Sequence, residues 1–221
     1  MTATDRPITR LLRGLPSLAG PLPAFDPDTA PDDPDALFED WLRDAVDAGV
    51  IEPHAMTLST VDPAGRPSAR VLILKNLSGG LWQFASGSAS RKGKELADTP
   101  WAALTFYWPV LGRQVRVRGA VVVANAENSA RDYLGRSPSA RAAALLGRQS
   151  EVLHDPRERD LRLAEAAELI RRDPALVAPE WTLYGVRADE VEFWQGDHHR
   201  NHVRLRYTAT GESWTTDPLW P

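Results

Sequence analysis

Between Glu192 and Arg204 the chain gathers Trp194, Gln195, Gly196, Asp197, His198, His199, Arg200, Asn201 and His202. Imidazoles move protons near neutral pH, and guanidiniums hold anions and stack on flat rings. So dense a cluster reads as a site. His198 and His202 are four apart, a spacing that would suit a metal on a helix. Gly196 and the extended run that follows argue against a helix, and no Cys and no carboxylate beyond Asp197 lies close, so no metal is expected. Val186 to Phe193 predicts a strand leading in, and Val203 to Tyr207 a strand leading out, with Gly196-Asp197 as the turn. If the return strand begins at Arg200, then Arg200, His202 and Arg204 leave on one face.

Two further stretches have the chemistry of a phosphate site. Ser86-Gly87-Ser88-Ala89-Ser90-Arg91-Lys92 is a hydroxyl-rich loop running into a helix start, where free backbone N–H groups and two cations favour an anion. A plain loop and cap explains the same residues equally well. Arg70-Val71-Leu72-Ile73-Leu74-Lys75 is a strand with a cation at each end and an apolar middle. Gln114, Arg116 and Arg118 share one face of another strand, which would serve equally as the wet side of a sheet.

The elements that must position these groups are mostly strands. Asp33-Pro34 predicts the cap and first residue of an amphipathic helix carrying Leu37, Phe38, Trp41, Leu42, Ala45 and Val46, stopped by Gly49. Strands are predicted at Ala55 to Val61, Ser68 to Lys75, Leu81 to Ser86, Trp101 to Trp108 and Gln114 to Val123, with two more after Trp181. Helices are predicted at Lys92 to Ala97, Asn128 to Leu134, Ala140 to Leu146 and Arg157 to Arg172. The fold expected is mainly β with peripheral helices, an antiparallel sheet closing as a barrel or sandwich. Residues 1–33, with Pro16, Pro21, Pro23, Pro27 and Pro31, predict an extended arm ahead of a single domain at 34–221.

The 221 residues are 43% hydrophobic, ordinary for a globular protein with a substantial core. A net charge of −4 gives no bulk attraction to nucleic acid. The absence of cysteine removes disulfides, thiol nucleophiles and thiolate metal sites and suits the cytoplasm. No apolar run near the start predicts secretion or a membrane span.

Arg70-Val71-Leu72-Ile73-Leu74-Lys75, Ser90-Arg91-Lys92, Arg113-Gln114-Val115, Gln149-Ser150, and Glu192-Phe193-Trp194-Gln195-Gly196 followed by His199-Arg200-x-His202-x-Arg204 resemble the pyridoxamine 5′-phosphate oxidase family in order and spacing. The match runs from about Leu37 to Tyr207. It implies an FMN-binding split β-barrel of Greek-key type and a homodimer with FMN at the subunit interface. It also implies that Arg70, Arg91 and Lys92 hold the FMN phosphate, and that Ala85, Ser86 and the strand Val71, Leu72, Ile73 and Leu74 line the cofactor. Gln114 would contact the flavin, with Gln149, Ser150, Trp194 and Arg204 reaching it from the other subunit. Lys75, Tyr133, Arg200 and His202 match substrate positions, with Arg200 and His202 as the catalytic pair over the face opposite the flavin.

The chain departs from the family where the substrate phosphate is gripped. Ser137 stands where an Arg is expected after Tyr133 and Arg141 where a Ser is expected, with the interval to Gln149-Ser150 one residue short; Arg136 and Arg141 are the arginines within a register shift. The amino-terminal Arg-x-x-Tyr of the family is missing. Three functions follow: an oxidase forming pyridoxal 5′-phosphate with dioxygen as acceptor and hydrogen peroxide as product, a related flavin oxidase acting on a reduced phenazine-type aromatic, or a non-catalytic flavin binder.

Overall fold

The computed structural model describes residues 6–221. Helix α2 (Pro34–Asp47) starts where the sequence places it: the Asp33 carboxylate accepts the Asp35 amide at 2.9 Å, and Pro34 takes the position where a missing N–H costs nothing. Its face of Leu37, Phe38, Trp41 and Ala45 is buried. Phe38 is the centre of an aromatic nest, 4.5 Å from Trp82, 4.8 Å from Phe106 and 6.0 Å from Trp108, ring centre to ring centre.

The sheet that this helix covers is antiparallel throughout. Its strands are β1 (Ala55–Val61), β2 (Pro67–Ile73), β3 (Asn76–Ser78), β4 (Leu81–Gly87), β5 (Trp101–Trp108), β6 (Arg113–Val123), β7 (Trp181–Gln195), β8 (Val203–Thr210) and β9 (Ser213–Pro218). They run in the order β2-β1-β5-β6-β7-β4-β3, with β8 on β7 and β9 on β8. Buried and half-buried residues alternate along β1 and β4, the period-two pattern of a sheet with one face on the core. The remaining helices are α1 (Pro7–Gly14), α3 (Arg91–Asp98), α4 (Ala126–Leu134), α5 (Pro138–Leu145) and α6 (Pro156–Arg172). The curled sheet with peripheral helices is the split barrel expected from the sequence.

Strand β7 is longer than its predicted core. One edge carries β6 for most of its length, while the other carries β4 over Trp181 to Arg187 and then β8 over Glu190 to Gln195. The pairing with β6 slips at Arg118/Gly119, a bulge that lets the long strand curl. Strand β2 stops at Ile73, short of the predicted Lys75, because the chain changes partners there. The Leu74 amide donates to His54 O and the Lys75 amide to Gln83 O.

Residues 6–33 differ from the extended arm that their prolines predict, and residues 1–5 of that arm lie outside the described residues. Pro7 opens α1, and a turn of 3₁₀ helix at Pro27–Thr29 follows. Phe25 packs edge-on against Trp41 at 5.1 Å, and the Tyr207 hydroxyl donates to Pro31 O at 2.7 Å, so the later part is fastened to the barrel. β3 and β9 are also additions, both too short or too polar to show a strand pattern.

Gly119 offers a test of the bulge. A Cβ there would lie 1.9 Å from the Arg187 carbonyl oxygen, a backbone atom that cannot rotate away. Gly119→Ala should destabilise the fold by about 3 kcal/mol, read as a lower urea midpoint; an unchanged midpoint would mean that the two strands separate freely at this point.

Candidate functional site

At the start of α3, the Ser90 hydroxyl accepts the Gly93 amide at 3.2 Å, closing the helix end. Gly93 allows the loop to fold back, because a Cβ would meet Ser88 O at 2.2 Å. This geometry turns Lys92 inward. Its ammonium is buried and donates to Ser86 Oγ at 2.9 Å, Gln149 Oε1 at 3.0 Å and Ser90 Oγ at 3.4 Å, all neutral oxygens. Burial, helped by the neighbouring charge of Arg70, pulls the Lys92 pKa below the usual lysine range.

The neighbouring carboxylate serves other cations. Glu95 accepts from Thr60, from Ser68 at 2.7 Å and from Arg91 Nε at 2.7 Å, and lies 3.3 Å from Arg70 Nη2. Burial alone would raise its pKa, but the hydrogen bonds from Thr60, Ser68 and Arg91 overcome it and hold the group at about 2. Arg70 is fixed further by Thr60 and Ser68, each accepting at 2.6 Å. Arg70, Arg91 and Lys92 against one Glu95 leave two positive charges, which matches the charge of a phosphate monoester near neutral pH.

A cavity of about 700 Å³ opens beside this cradle. Its wall includes Ser86, Ser90 and Gln149, the three partners of Lys92, together with Val71, Leu72, Ile73, Lys75 and Ala85. Leu74 does not join them; it is buried in the core on the opposite side of the strand end. Gln149 was expected to act from the other subunit, and here it is bonded to Lys92 and Ser86 of its own chain. Ser150 follows it at φ 78° and is exposed, outside the cavity wall.

The carboxy-terminal residues form a second, separate group. Gln114 on β6, Trp194 on β7 and Arg204 on β8 are directly paired across three strands and so share a row. Buried Glu192 anchors this row, accepting Arg204 Nε at 2.9 Å and Arg116 Nη1 at 3.2 Å. The Asp197 carboxylate accepts the amides of His199 and Asn201, which lowers its pKa and shapes the loop. The Asp197 amide donates to His202 Nδ1 at 3.0 Å, and the His202 ring lies 4.9 Å from Trp194. Arg200 does not begin a strand: its φ is 67°, β8 starts only at Val203, and the common face expected for Arg200, His202 and Arg204 does not form. None of these residues lines the cavity of its own chain.

The expected substrate grip is internal. Tyr133 is fully buried with its hydroxyl donated to Arg141 O at 2.9 Å. Arg141 is buried too, donating to Pro174 O at 2.8 Å and Leu176 O at 2.9 Å. Ser137 caps α5 by accepting the Ala140 amide at 3.3 Å. What does face the cavity is a relay that the sequence motifs did not reveal. Lys75 pairs with Asp132 at 3.1 Å, Asp132 accepts the Trp181 indole N–H at 2.8 Å, and the Arg136 guanidinium stands 4.0 Å over the Trp181 ring. Lys75 was expected at a substrate position and Arg136 was in view as one of two arginines near the missing grip; Asp132 and Trp181, which join them, were not.

With this geometry in hand, the likeness to known proteins is informative. Residues 42–195 match the family model described as pyridoxamine 5′-phosphate oxidase, and residues 181–221 match that of the pyridoxine 5′-phosphate oxidase C-terminal dimerisation region. The chain belongs to the pyridoxamine 5′-phosphate oxidase family. Its relatives include a pyridoxine/pyridoxamine 5′-phosphate oxidase of Pseudomonas fluorescens, 42% identical over 87% of this chain and 90% of that one, and one of Paraburkholderia xenovorans, 40% identical over 83% and 87%. The crystal structure of PhzG from Burkholderia lata, in complex with tetrahydrophenazine-1-carboxylic acid, superposes with a TM-score of 0.84 at 32% identity, covering 91% of this chain and all of that one. Pyridoxamine 5′-phosphate oxidases are flavin-binding oxidoreductases, and this chain is an enzyme of that class with the family's dimerisation region at its end. Among the described residues no helix is long and apolar enough to cross a membrane, and no three His, Asp or Glu side chains gather as a metal site.

The depressed Glu95 pKa gives a pH test of the cradle. Its contribution to stability is present in full above the ordinary value of 4.5 and disappears as pH falls through about 2. Acid unfolding of the parent should therefore show a loss of stability across that window that Glu95→Gln lacks; parallel stability–pH curves for the two proteins would remove the network described for Glu95.

Proposed function

We propose that this enzyme is an FMN-dependent oxidase that converts pyridoxine or pyridoxamine 5′-phosphate to pyridoxal 5′-phosphate, with dioxygen as acceptor and hydrogen peroxide as product. The observation that carries the cofactor is the buried Lys92 ammonium, which has only neutral partners in a cluster with two surplus positive charges. Such a group calls for an anion, and the FMN phosphate supplies one where Ser86, Ser90 and Gln149 meet the cavity. The apolar wall of Val71, Leu72 and Ile73 suits the flat body of the same cofactor.

When bound, FMN supplies the ring that accepts a hydride from the substrate carbon and hands the electrons on to dioxygen. The chain's own residues position the substrate and manage its protons. His202 accepts the Asp197 amide at Nδ1, so its neutral imidazole carries the proton on Nε2 and offers a donor there. Arg200, exposed beside it, is a permanent cation that orients an anionic substrate. The row of Gln114, Trp194 and Arg204 lies apart from the cavity of its own chain, so a homodimer that sets one protomer's row against its partner's cradle completes the site. The lack of cysteine suits a cytoplasmic enzyme.

The internal bonding of Tyr133 and Arg141 favours a second reading, oxidation of a reduced phenazine-type acid, which needs no phosphate grip. Oxygen uptake separates the readings. The first expects turnover of pyridoxine 5′-phosphate by the FMN-loaded dimer, the second expects it only with a tetrahydrophenazine carboxylate, and no uptake with either leaves a flavin binder without this activity.

Lys92→Met tests the cradle itself. Because burial depresses the Lys92 pKa, the ammonium costs stability in full below that folded pKa, and the cost fades as pH rises from there to the ordinary lysine value of 10.5. The variant should be at least as stable without FMN, yet bind FMN roughly tenfold or more weakly. FMN affinity equal to the parent's would remove Lys92 from the phosphate site.

A further inference from the structure

The Lys75–Asp132–Trp181–Arg136 relay is unexplained by the cofactor cradle. Arg136 lies on the short link between α4 and α5, its Nη2 donating to Ala140 O at 3.4 Å. Its Nε is buried without a hydrogen-bond partner among the described residues. A guanidinium donor left bare in this way is costly, and the cost is met when an anion arrives. Both Arg136 and the Trp181 ring on which it lies belong to the cavity wall, as does Lys75.

The neighbours explain why this arginine stays available. Asp132, the nearest carboxylate, is engaged by Lys75 through one oxygen and by the Trp181 indole through the other. It therefore fixes the indole plane without pairing directly with Arg136. The flat ring holds the guanidinium by cation–π contact and leaves its edge for a ligand. Other cations on the wall are less free: Arg148 is bound to Glu151 and Glu158, Arg162 to Glu158, and Arg159 to Asp160.

We infer that Arg136, backed by Trp181, is the specificity-determining residue that receives the acidic group of the substrate, Tyr133, Ser137 and Arg141 being bonded within the chain. This rests on the oxidase reading above and adds the side chain that tells a flat ring bearing an acidic group from a neutral one. Asp132 is a positioning residue for Trp181 and Lys75 and does not touch the substrate.

The test measures binding, so it does not depend on turnover. FMN-loaded enzyme is titrated with pyridoxal 5′-phosphate, pyridoxal and phenazine-1-carboxylate, following the flavin absorbance. The parent should prefer an anionic ligand, and which of the two acids binds tells phosphate from carboxylate. Arg136→Met should keep FMN and lose roughly tenfold to hundredfold of its affinity for that acid, with its affinity for pyridoxal little changed. Arg136→Lys, which keeps the charge without the fork or the stacking, should recover part of the loss and stands in if the methionine variant does not fold. A parent that binds neither acid more tightly than pyridoxal overturns the inference, as does an Arg136 variant that loses acid and pyridoxal alike. If the acid-binding difference holds while pyridoxine 5′-phosphate is not oxidised, the inference stands and the vitamin-phosphate reading falls.

Discussion

A positive charge placed out of water with no negative partner is the constraint on which this site turns. Lys92 sits among two hydroxyls and an amide oxygen, and its natural counterion, Glu95, is held by Arg70, Arg91, Thr60 and Ser68. The division is not accidental in physical terms. Were Glu95 to turn to Lys92, that pair would be neutral and the surplus charge would move to Arg70 and Arg91. The hydrogen bonds that press the Glu95 pKa down to about 2 keep the carboxylate on the arginine side, where it orders two guanidiniums and leaves the ammonium in need of an anion.

That arrangement depends on the sheet. Thr60 comes from β1, Ser68 and Arg70 from β2, and Glu95 and Lys92 from α3, so the network reports the register of the β1–β2 hairpin as well as the docking of the helix. Thr60 and Ser68 are paired partners across that hairpin. A slip of one residue would turn both hydroxyls to the other face, and the cradle would lose its frame. At the far side of the barrel, β7 performs a similar service, carrying Glu192 and Trp194 between β6 and β8 so that Gln114 and Arg204 flank the indole.

Much of this was legible in the sequence, for identifiable reasons. β1 and β5 alternate cleanly and end where their patterns end, and Asp33-Pro34 and Ser90 are local signals that need no distant partner. The clustering of Arg70, Arg91 and Lys92 was visible because these cations lie in two short motifs. Arg200 was misplaced because Asp197 gathers the amides of His199 and Asn201 and delays the return strand to Val203, a side-chain to backbone effect that alternation cannot reveal. Tyr133 and Arg141 were read by position in a motif, but the Tyr133 hydroxyl goes to Arg141 O and the Arg141 guanidinium to the carbonyls of Pro174 and Leu176, far along the chain. The Asp132–Trp181 bond spans a similar distance, and neither residue belongs to a recognisable pattern alone.

The two ends of the cavity therefore answer to different parts of the fold. The Lys92 end is built on strands that bury the main core, where Met56 and Leu58 of β1 and Leu96 of α3 leave little freedom to change. The other end rests on α4, α5 and their link, and α5 packs with α6 in a small apolar cluster of its own around Ala142, Ala166 and Ile170. That cluster is separate from the one inside the barrel. Arg141 illustrates the point: it ties α5 to the Pro174–Leu176 turn and so helps to hold the small cluster, while Arg136, five residues earlier, is released to face the cavity. Because separate apolar clusters hold the two walls, the packing behind Arg136 is not the packing that positions Lys92.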